Sequence, residues 1–175
     1  FNVIGEAVVA GIINDNNVAG TSTFNNVNLS AGSMNGSAIG VIVVNGDLTI
    51  STANATIGRV ALTVNGSTNI AASRTITFGT ASNNGTKTFA GTVTNNGTWT
   101  STTITTAGNL VFQNGFINNS ATNANIGAAT FSTNSQSLAG TGSFTFASPV
   151  VISGAITLTN NSSHVNGVTF NNTLN

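Results

Sequence analysis

A short pattern returns about every twenty residues along the whole chain, and this repetition constrains the fold more than any other feature. In each copy an apolar residue, here called the anchor, follows a β-branched residue and precedes small turn-forming residues, as in Val43-Val44-Asn45-Gly46. A unit this short cannot bury its apolar face alone, so it has to stack on its neighbours. The anchors are Ile4, Phe24, Val44, Val64, Phe89, Phe112, Phe131, Ile152 and Phe170.

Apolar residues alternate with polar ones on both sides of the turn, which is typical of β-strands. Ile42 lies two residues before its anchor, while Leu48 and Ile50 lie four and six residues after it. Each repeat is therefore predicted to hold two short strands joined by a corner, with a weaker third strand, for example at Ile57 or Ile126. Helices are disfavoured because Gly and Asn-Gly pairs recur throughout, while Leu, Glu, Lys and Arg are scarce.

Two β architectures could use such a pattern. Asn-Gly between strands would suit the hairpins of an antiparallel sandwich. The regular spacing and the like residues at equivalent positions favour instead a parallel stack, in which each repeat is one coil. We therefore predict an all-β fold, a single-stranded parallel β-solenoid (β-helix) of about nine coils with roughly 20 residues per coil.

In this arrangement the anchors form one internal core column, and the residues just before them form an external Thr/Val column. Residues 1–175 are predicted to be a single β-solenoid domain. Solenoids normally carry polar caps at their ends, and neither end of this sequence shows one. We therefore expect a segment of a longer protein or a subunit of a filament.

Charged side chains make up only 3% of the residues, whereas ordinary domains carry roughly a quarter. In a stacked coil each residue faces its equivalent about 4.8 Å away, so like charges would repel while Asn and Thr can hydrogen-bond to their own copies. The scarcity of Lys and Arg leaves no electrostatic basis for binding nucleic acid. No apolar run is long enough to span a bilayer, and there is no cysteine for a disulfide.

Residues with catalytic potential are few and dispersed. His164 is the only histidine, and the three acids all lie in the first three predicted coils, so a Ser-His-acid device is not expected. Glu6 and Asp47 are predicted near the same turn two coils apart, about 10 Å, but without a cleft or an aromatic platform for a sugar. The acids are also too few for a calcium site. We expect no enzyme activity, no catalytic residue, no cofactor and no metal.

Three residues are candidate ligand contacts: Trp99, Arg74 and Lys87. Trp99 is the single indole, and it either covers a core layer or stands outside as a ligand platform. Arg74 and Lys87 lie in the longest interval between anchors. There the alternating run from Arg74 to Phe78 predicts an outward bulge or an extra β-arch, which is either a solubilising loop or a contact for a partner.

The external column also raises the question of ice binding, because regular threonine arrays on flat solenoid faces occur in ice-binding proteins. Here Thr and Val alternate irregularly, as at Val43, Thr63 and Val111, and the positions two residues earlier are mixed. Two regular ranks are therefore not expected on this face, and a column that simply favours strand pairing explains it. Asn-x-Ser/Thr triplets are no more frequent than this composition produces by chance, so they say little about glycosylation.

Three stretches carry a resemblance to known proteins: 91–99 (GTVTNNGTW), 139–146 (AGTGSFTF) and 151–160 (VISGAITLTN). They resemble the repeats of large secreted parallel β-helix proteins. These include filamentous-haemagglutinin-type and autotransporter-type adhesins and the Asn/Thr/Gly-rich surface proteins of gliding, Bacteroidetes-like bacteria. The resemblance covers nearly the whole chain and is one of repeat style, without a diagnostic motif. It implies a rod, fibre or adhesin stalk exposed outside the cell.

These observations together predict a non-enzymatic structural module of an extracellular surface fibre, sheath or adhesin stalk. Open strand edges at the end coils would allow it to polymerise end to end. The expected partners are copies of itself or neighbouring repeats of the same protein. An alternative is a glycan- or cell-binding adhesin domain with surface glycans as partners, and a polysaccharide-active enzyme is a third option.

Overall fold

The computed structural model describes residues 2–15, 20–36, 40–79, 85–106 and 108–175, and these contain strands and turns but no helix. All the strand pairs among them are parallel. From its first layer to its last the chain makes about seven turns of about 21 residues, slightly fewer than the nine coils predicted. The predicted parallel β-solenoid is confirmed.

Each layer contributes a strand to each of three faces of the rod. The first and second faces both begin with β1 (Asn2–Val9) and β3 (Thr21–Leu29), which are long enough to turn the corner between them. The first face continues with β5 (Val41–Val44), β8 (Ala61–Val64), β11 (Lys87–Phe89), β14 (Leu110–Phe112), β17 (Ala129–Phe131) and β20 (Val150–Ile152). The second face continues with β6 (Leu48–Ile50), β9 (Thr68–Ile70), β12 (Val93–Asn95), β15 (Phe116–Asn118), β18 (Gln136–Gly140) and β21 (Leu158–Ser162).

The third face is a separate 8-stranded sheet, whereas the other two faces are joined through β3 into one 14-stranded sheet. Its strands are β2 (Ile12–Asp15), β4 (Gly32–Gly36), β7 (Ala55–Ile57), β10 (Thr75–Phe78), β13 (Thr98–Thr100), β16 (Ala124–Ile126), β19 (Phe144–Phe146) and β22 (Val168–Phe170). We number the layers 1 to 8 by their first-face strands, from β1 to β20.

Seven of the nine anchors stack in register on the first face: Phe24, Val44, Val64, Phe89, Phe112, Phe131 and Ile152. Ile4 does not belong to this column, because Val3 pairs with Phe24 and Ile4 is 86% exposed. Because Val3 and Ile4 are both apolar, the sequence alone does not show which of them faces the core. A shift of one residue in the strand register exchanges the two.

Phe170 is also misplaced by the repeat pattern. It lies in β22 on the third face, opposite Phe146, and the two rings stack with centroids 5.1 Å apart. The sequence Val168-Thr169-Phe170 mimics an anchor, but the chain returns to the first face only at Leu174, which bridges to Val150. An apolar residue after a β-branched one is therefore not specific to one face.

The predicted bulge between Arg74 and Phe78 is wrong. β10 is the regular third-face strand of layer 4, and it pairs in register with β7 on one side and β13 on the other. The additional residues of this long interval lie between β10 and β11, where residues 80–84 fall outside the described residues.

The corner between the first and second faces is stabilised by contacts from layer to layer. The Asp47 backbone N–H donates to Asn26 Oδ1 at 2.8 Å, and the Ser67 N–H donates to Asp47 Oδ1 at 2.7 Å. The backbones approach so closely here that a Cβ at Gly66 or Gly91 would collide with the main chain of the layer before it. The recurring turn glycines are thus required by the stacking itself.

Inside the rod, apolar side chains from all three faces form one core. Phe89, Phe112 and Phe131 stack in successive layers with centroids 5.7 and 5.4 Å apart. In the described ranges no helix is long and apolar enough to cross a membrane.

Candidate functional site

Trp99 lies in the core and cannot serve as an external ligand platform. Its side chain is fully buried, with ring centroids 4.6 Å from Phe78 and 4.9 Å from Phe116. Its indole N–H donates to Ser101 Oγ at 2.9 Å, so the polar edge is satisfied within the rod. Trp99 is the middle residue of a three-residue strand and pairs with Ile76, and this register turns it inward.

Lys87 is buried as well, which rules it out as a surface contact. It lies between Leu62 and Leu110 in an inward-facing column of the first face and is only 1% exposed. Its Nζ donates to the Gly85 carbonyl at 2.7 Å. Burial lowers the pKa of Lys87 from 10.5 to about 8, because the charged form loses its hydration. Lys87 is two residues before the anchor Phe89, and this spacing places its side chain on the core side of the strand.

Arg74 stays near the surface, half-buried, just before β10. Its backbone carbonyl accepts the Thr98 N–H at 2.7 Å, and its buried Nε has no hydrogen-bond partner among the described residues. Because Lys87 points into the core, Arg74 and Lys87 do not form a joint basic patch.

Glu6, Asp47 and His164 lie apart from one another, on a strand, at a corner and in a turn. Glu6 pairs with Asn26, and Asn26 in turn caps Asp47, so Glu6 and Asp47 are two strand spacings apart, about 10 Å. Both are exposed, and Asp47 already binds the Ser67 N–H. His164 lies in the turn after β21, where its Nδ1 accepts the Asn166 N–H at 3.1 Å. No group of three or more metal-binding side chains occurs in the described part of the chain.

The third face carries a feature that the sequence analysis missed. Its central outward-facing positions form a first rank in register: Ser33, Thr56, Thr77, Thr100, Asn125, Thr145 and Thr169. The positions two residues earlier form a second rank: Asn54, Thr75, Thr98, Asn123 and Ser143. We call the two ranks together, over layers 3 to 7, the threonine array. Its members are small, polar and uncharged.

The first face has no such regularity, although its strands are built in the same way. Its outward column reads Thr23, Val43, Thr63, Thr88, Val111, Thr130 and Val151. The signal that could have found the array is the pair of Thr-x-Thr units at Thr75/Thr77 and Thr98/Thr100. An alignment on the first-face anchors does not bring these units into register, because the number of residues between the two faces varies from layer to layer.

The two ends of the rod expose part of the core. In layer 1 the inward residues Val3, Ala7, Val9 and Ile13 are only half-buried, and an open cavity of about 450 Å³ lies between them and Phe24. In layer 8 the corresponding half-buried residues are Ile156, Leu158, Val168 and Phe170. The outer edges of β1, β2, β21 and β22 have no paired strand within the described residues.

This geometry defines the class of protein: a parallel β-solenoid with charge-poor lateral faces. Comparisons with family models, with curated protein sequences and with solved structures give no match to this chain.

Proposed function

We propose that this chain is a non-catalytic structural module of an extracellular surface fibre, sheath or adhesin stalk, and that modules continue one another end to end. The observation that carries the proposal is the pair of open ends. Each end presents unpaired parallel strand edges around a half-covered apolar core. Unpaired edges of this kind are templates for another chain.

The two ends are compatible with each other in chemistry and in direction. Val3, Ala7, Val9 and Ile13 at one end would pack on Ile156, Leu158, Val168 and Phe170 at the other. Because all the described pairs are parallel, a second copy added head to tail continues the sheets without reversing a strand. On the second and third faces it would pair with β21 and β22, and on the first face with residues 173–175, which bond to the outer edge of β20. Glu6 is exposed in layer 1, and layer 8 holds no Asp, Glu, Lys or Arg, so no charged side chain of layer 8 repels it.

The mechanical role follows from the stacking. Each added layer supplies main-chain hydrogen bonds on three faces and covers apolar surface, at about 25 cal/mol per Å² of apolar area. Stability of such a rod grows with the number of stacked layers. The location outside the cell is supported by the repeat style that the chain shares with secreted β-helix proteins.

End-to-end assembly is tested by sedimentation velocity over a range of protein concentrations, together with electron microscopy. Ile13→Asp places a charge in the half-buried end of the core, and Thr63→Asp places the same charge on a lateral face as a matched control. We expect the unmodified chain and Thr63→Asp to form rods that lengthen with concentration, while Ile13→Asp remains a single module.

Two results would contradict the proposal. If the chain stayed monomeric at every concentration, there would be no end-to-end contact. If Ile13→Asp assembled as well as the unmodified chain, the contact would not involve this end of the core. The non-catalytic part is tested separately, by incubating the chain with a panel of polysaccharides. Release of reducing ends would overturn it.

A further inference from the structure

We propose that the threonine array on the third face binds the surface of ice, a function beyond the fibre role. The site comprises the first-rank residues Thr56, Thr77 and Thr100 with Asn54, Thr75 and Thr98 beside them in the second rank. Each layer thus offers a pair of short polar side chains on the same side of one strand. The ligand class is crystalline water, which is itself periodic.

The spacing of the array is two-dimensional. Neighbouring layers are about 4.8 Å apart, and residues i and i+2 on one strand are separated by about 6.7 Å. These distances are close to the two oxygen repeats on a prism face of ice. A single rank, with one residue per layer, would match only the oxygen repeat that corresponds to the layer spacing. The second rank adds the spacing along the strand, so that the two ranks together form a plane of contact.

Strand propensity alone does not explain the array. Val and Thr both favour β-structure, and the outward column of the first face uses them interchangeably, at Val43, Thr63 and Val111. From layer 3 to layer 7, neither rank of the third face holds an apolar residue. The outward positions of both faces lie in parallel strands with the same backbone constraints. The exclusion of apolar residues from the third face therefore reflects its contact with solvent.

The hydroxyls at the centre of the array are available. The side chains of Thr56, Thr77 and Thr100 make no hydrogen bond to another described residue, in contrast to the corner side chains Asn26 and Asp47, which bind the main chain. Each threonine also carries a methyl group, which has the same spacing as its hydroxyl. A row of such side chains can hold a regular water layer, and the methyl groups restrict where those waters lie.

The array rests on a rigid base. The residues between the two ranks point inward, and Ala55, Ile76 and Trp99 are all at least 97% buried. Trp99 packs within 4.6 to 6.0 Å of four phenylalanine rings. A surface that is already ordered loses little conformational entropy on meeting a crystal.

Layer 6 limits the extent of the array. Asn123 Nδ2 donates to Asn125 Oδ1 and to the Thr145 hydroxyl, each at 2.8 Å, and Asn123 Oδ1 accepts the Ser143 hydroxyl at 3.1 Å. These groups are occupied with one another. The contact is therefore centred on layers 3 to 5, where the hydroxyls of Thr56, Thr75, Thr77 and Thr100 have no partner among the described residues. The second-rank hydroxyl of Thr98 lies 3.4 Å from that of Thr122.

The experiment measures incorporation of the purified chain into a slowly growing ice hemisphere, together with inhibition of ice recrystallisation. Thr77→Tyr places a bulky ring in the middle of the array, and Thr100→Tyr does the same one layer away. Thr63→Tyr is the matched control, because it lies in layer 4 on the first face. Circular dichroism and thermal unfolding establish that each variant is folded.

We expect the unmodified chain and Thr63→Tyr to enter the ice and to slow recrystallisation. Thr77→Tyr and Thr100→Tyr should require about tenfold higher concentration for the same effect. Exclusion of the folded, unmodified chain from ice would overturn the proposal. An equal loss in Thr63→Tyr, or full activity in both array variants, would also overturn it, since the third face would then not be the contact.

Discussion

The middle and the ends of the rod have the same strand pairing but very different burial. In layers 5 and 6, Phe89 and Phe112 are completely buried. In layer 1, β1 pairs with β3 along most of its length, yet Val3 and Ile13 remain half-buried. Register alone therefore does not make a core. A layer is buried only when it has a neighbour on each side.

This difference predicts a gradient of stability along the rod. Central layers lose apolar contacts to two neighbours when they open, whereas a terminal layer loses contacts to one. Local opening in such a chain begins where the free energy of opening is lowest.

The largest expected effect comes from removing a central ring. Phe112 contacts Phe89, Trp99, Phe116 and Phe131. Phe112→Ala should lower the free energy of unfolding by about 3–5 kcal/mol, because the cavity is enclosed on all sides. The measurement is urea denaturation followed by circular dichroism.

Phe170→Ala is the matched change at the end of the rod. Phe170 is half-buried, and Phe146 is its ring partner. We expect a cost of about 1 kcal/mol, since the terminal layer can close over the missing ring. Equal costs for the two variants would show that the terminal layer is as well covered as the centre, contrary to the comparison.

The next effect is the pH dependence caused by Lys87 in layer 5. Its pKa is about 8 in the fold and 10.5 when unfolded. Between these values the unfolded chain holds the proton that the folded chain has lost, so stability should rise with pH through this window, by as much as about 3 kcal/mol. Below pH 8 both states are protonated, and the full cost of burying the charge remains.

No other side chain is expected to titrate between pH 8 and 10.5, because Lys87 is the only lysine and the sequence contains no Tyr or Cys. The α-amino group alone titrates nearby, at about 8. Lys87→Met keeps a flexible apolar stem without the charge, so it should be more stable at pH 7 and should lose the dependence between pH 8 and 10.5. A Lys87→Met variant whose stability still rises across this window would assign the titration to another group.

The strand positions on the first and second faces could be predicted from sequence because the anchors and the turn glycines recur at a nearly constant interval. The third face was placed only coarsely. The connection from β7 to β8 is three residues long, while that from β10 to β11 is eight, so counting from the anchors loses the register on this face. Inserted residues shift the third-face strands relative to the anchors without disturbing their stacking.

Lys87 was expected near the surface and is buried, whereas Trp99 was left open between a core layer and an external platform and lies in the core. Lys87 occupies the position of Ile42 and Leu62, two residues before an anchor, and this parity predicts burial. The usual preference of lysine for the surface argued against it, and only the three-dimensional register decides between the two. Trp99 lies in a strand of three residues, too short for alternation to identify its inward face. Its burial depends on pairing with Ile76.

A buried amide pair provides the third prediction, of intermediate size. Asn118 Oδ1 accepts the Asn95 side-chain N–H at 2.8 Å, and Asn118 Nδ2 donates to the Ser143 carbonyl at 2.7 Å. Asn118→Ala should cost about 1–3 kcal/mol, because these buried groups lose their partners. The neighbouring exposed Asn119→Ala is the control, with an expected change within about 0.5 kcal/mol. If urea denaturation gave a similar loss of unfolding free energy for Asn118→Ala and Asn119→Ala, burial would not determine how much these hydrogen bonds contribute to stability.

The smallest effect should be a gain. Thr68 is buried between Leu48 and Val93 on the second face, and its hydroxyl has no hydrogen-bond partner in the part of the chain that the structure describes. Thr68→Val keeps the shape of the side chain and removes the unpaired polar group, so the free energy of unfolding should rise by about 1 kcal/mol. Thr49→Val, on an outward position one layer away, should change it by less than about 0.5 kcal/mol. If Thr68→Val were instead destabilising, the Thr68 hydroxyl would have a hydrogen-bond partner in solution. Water would then reach the central layers, contrary to their complete burial.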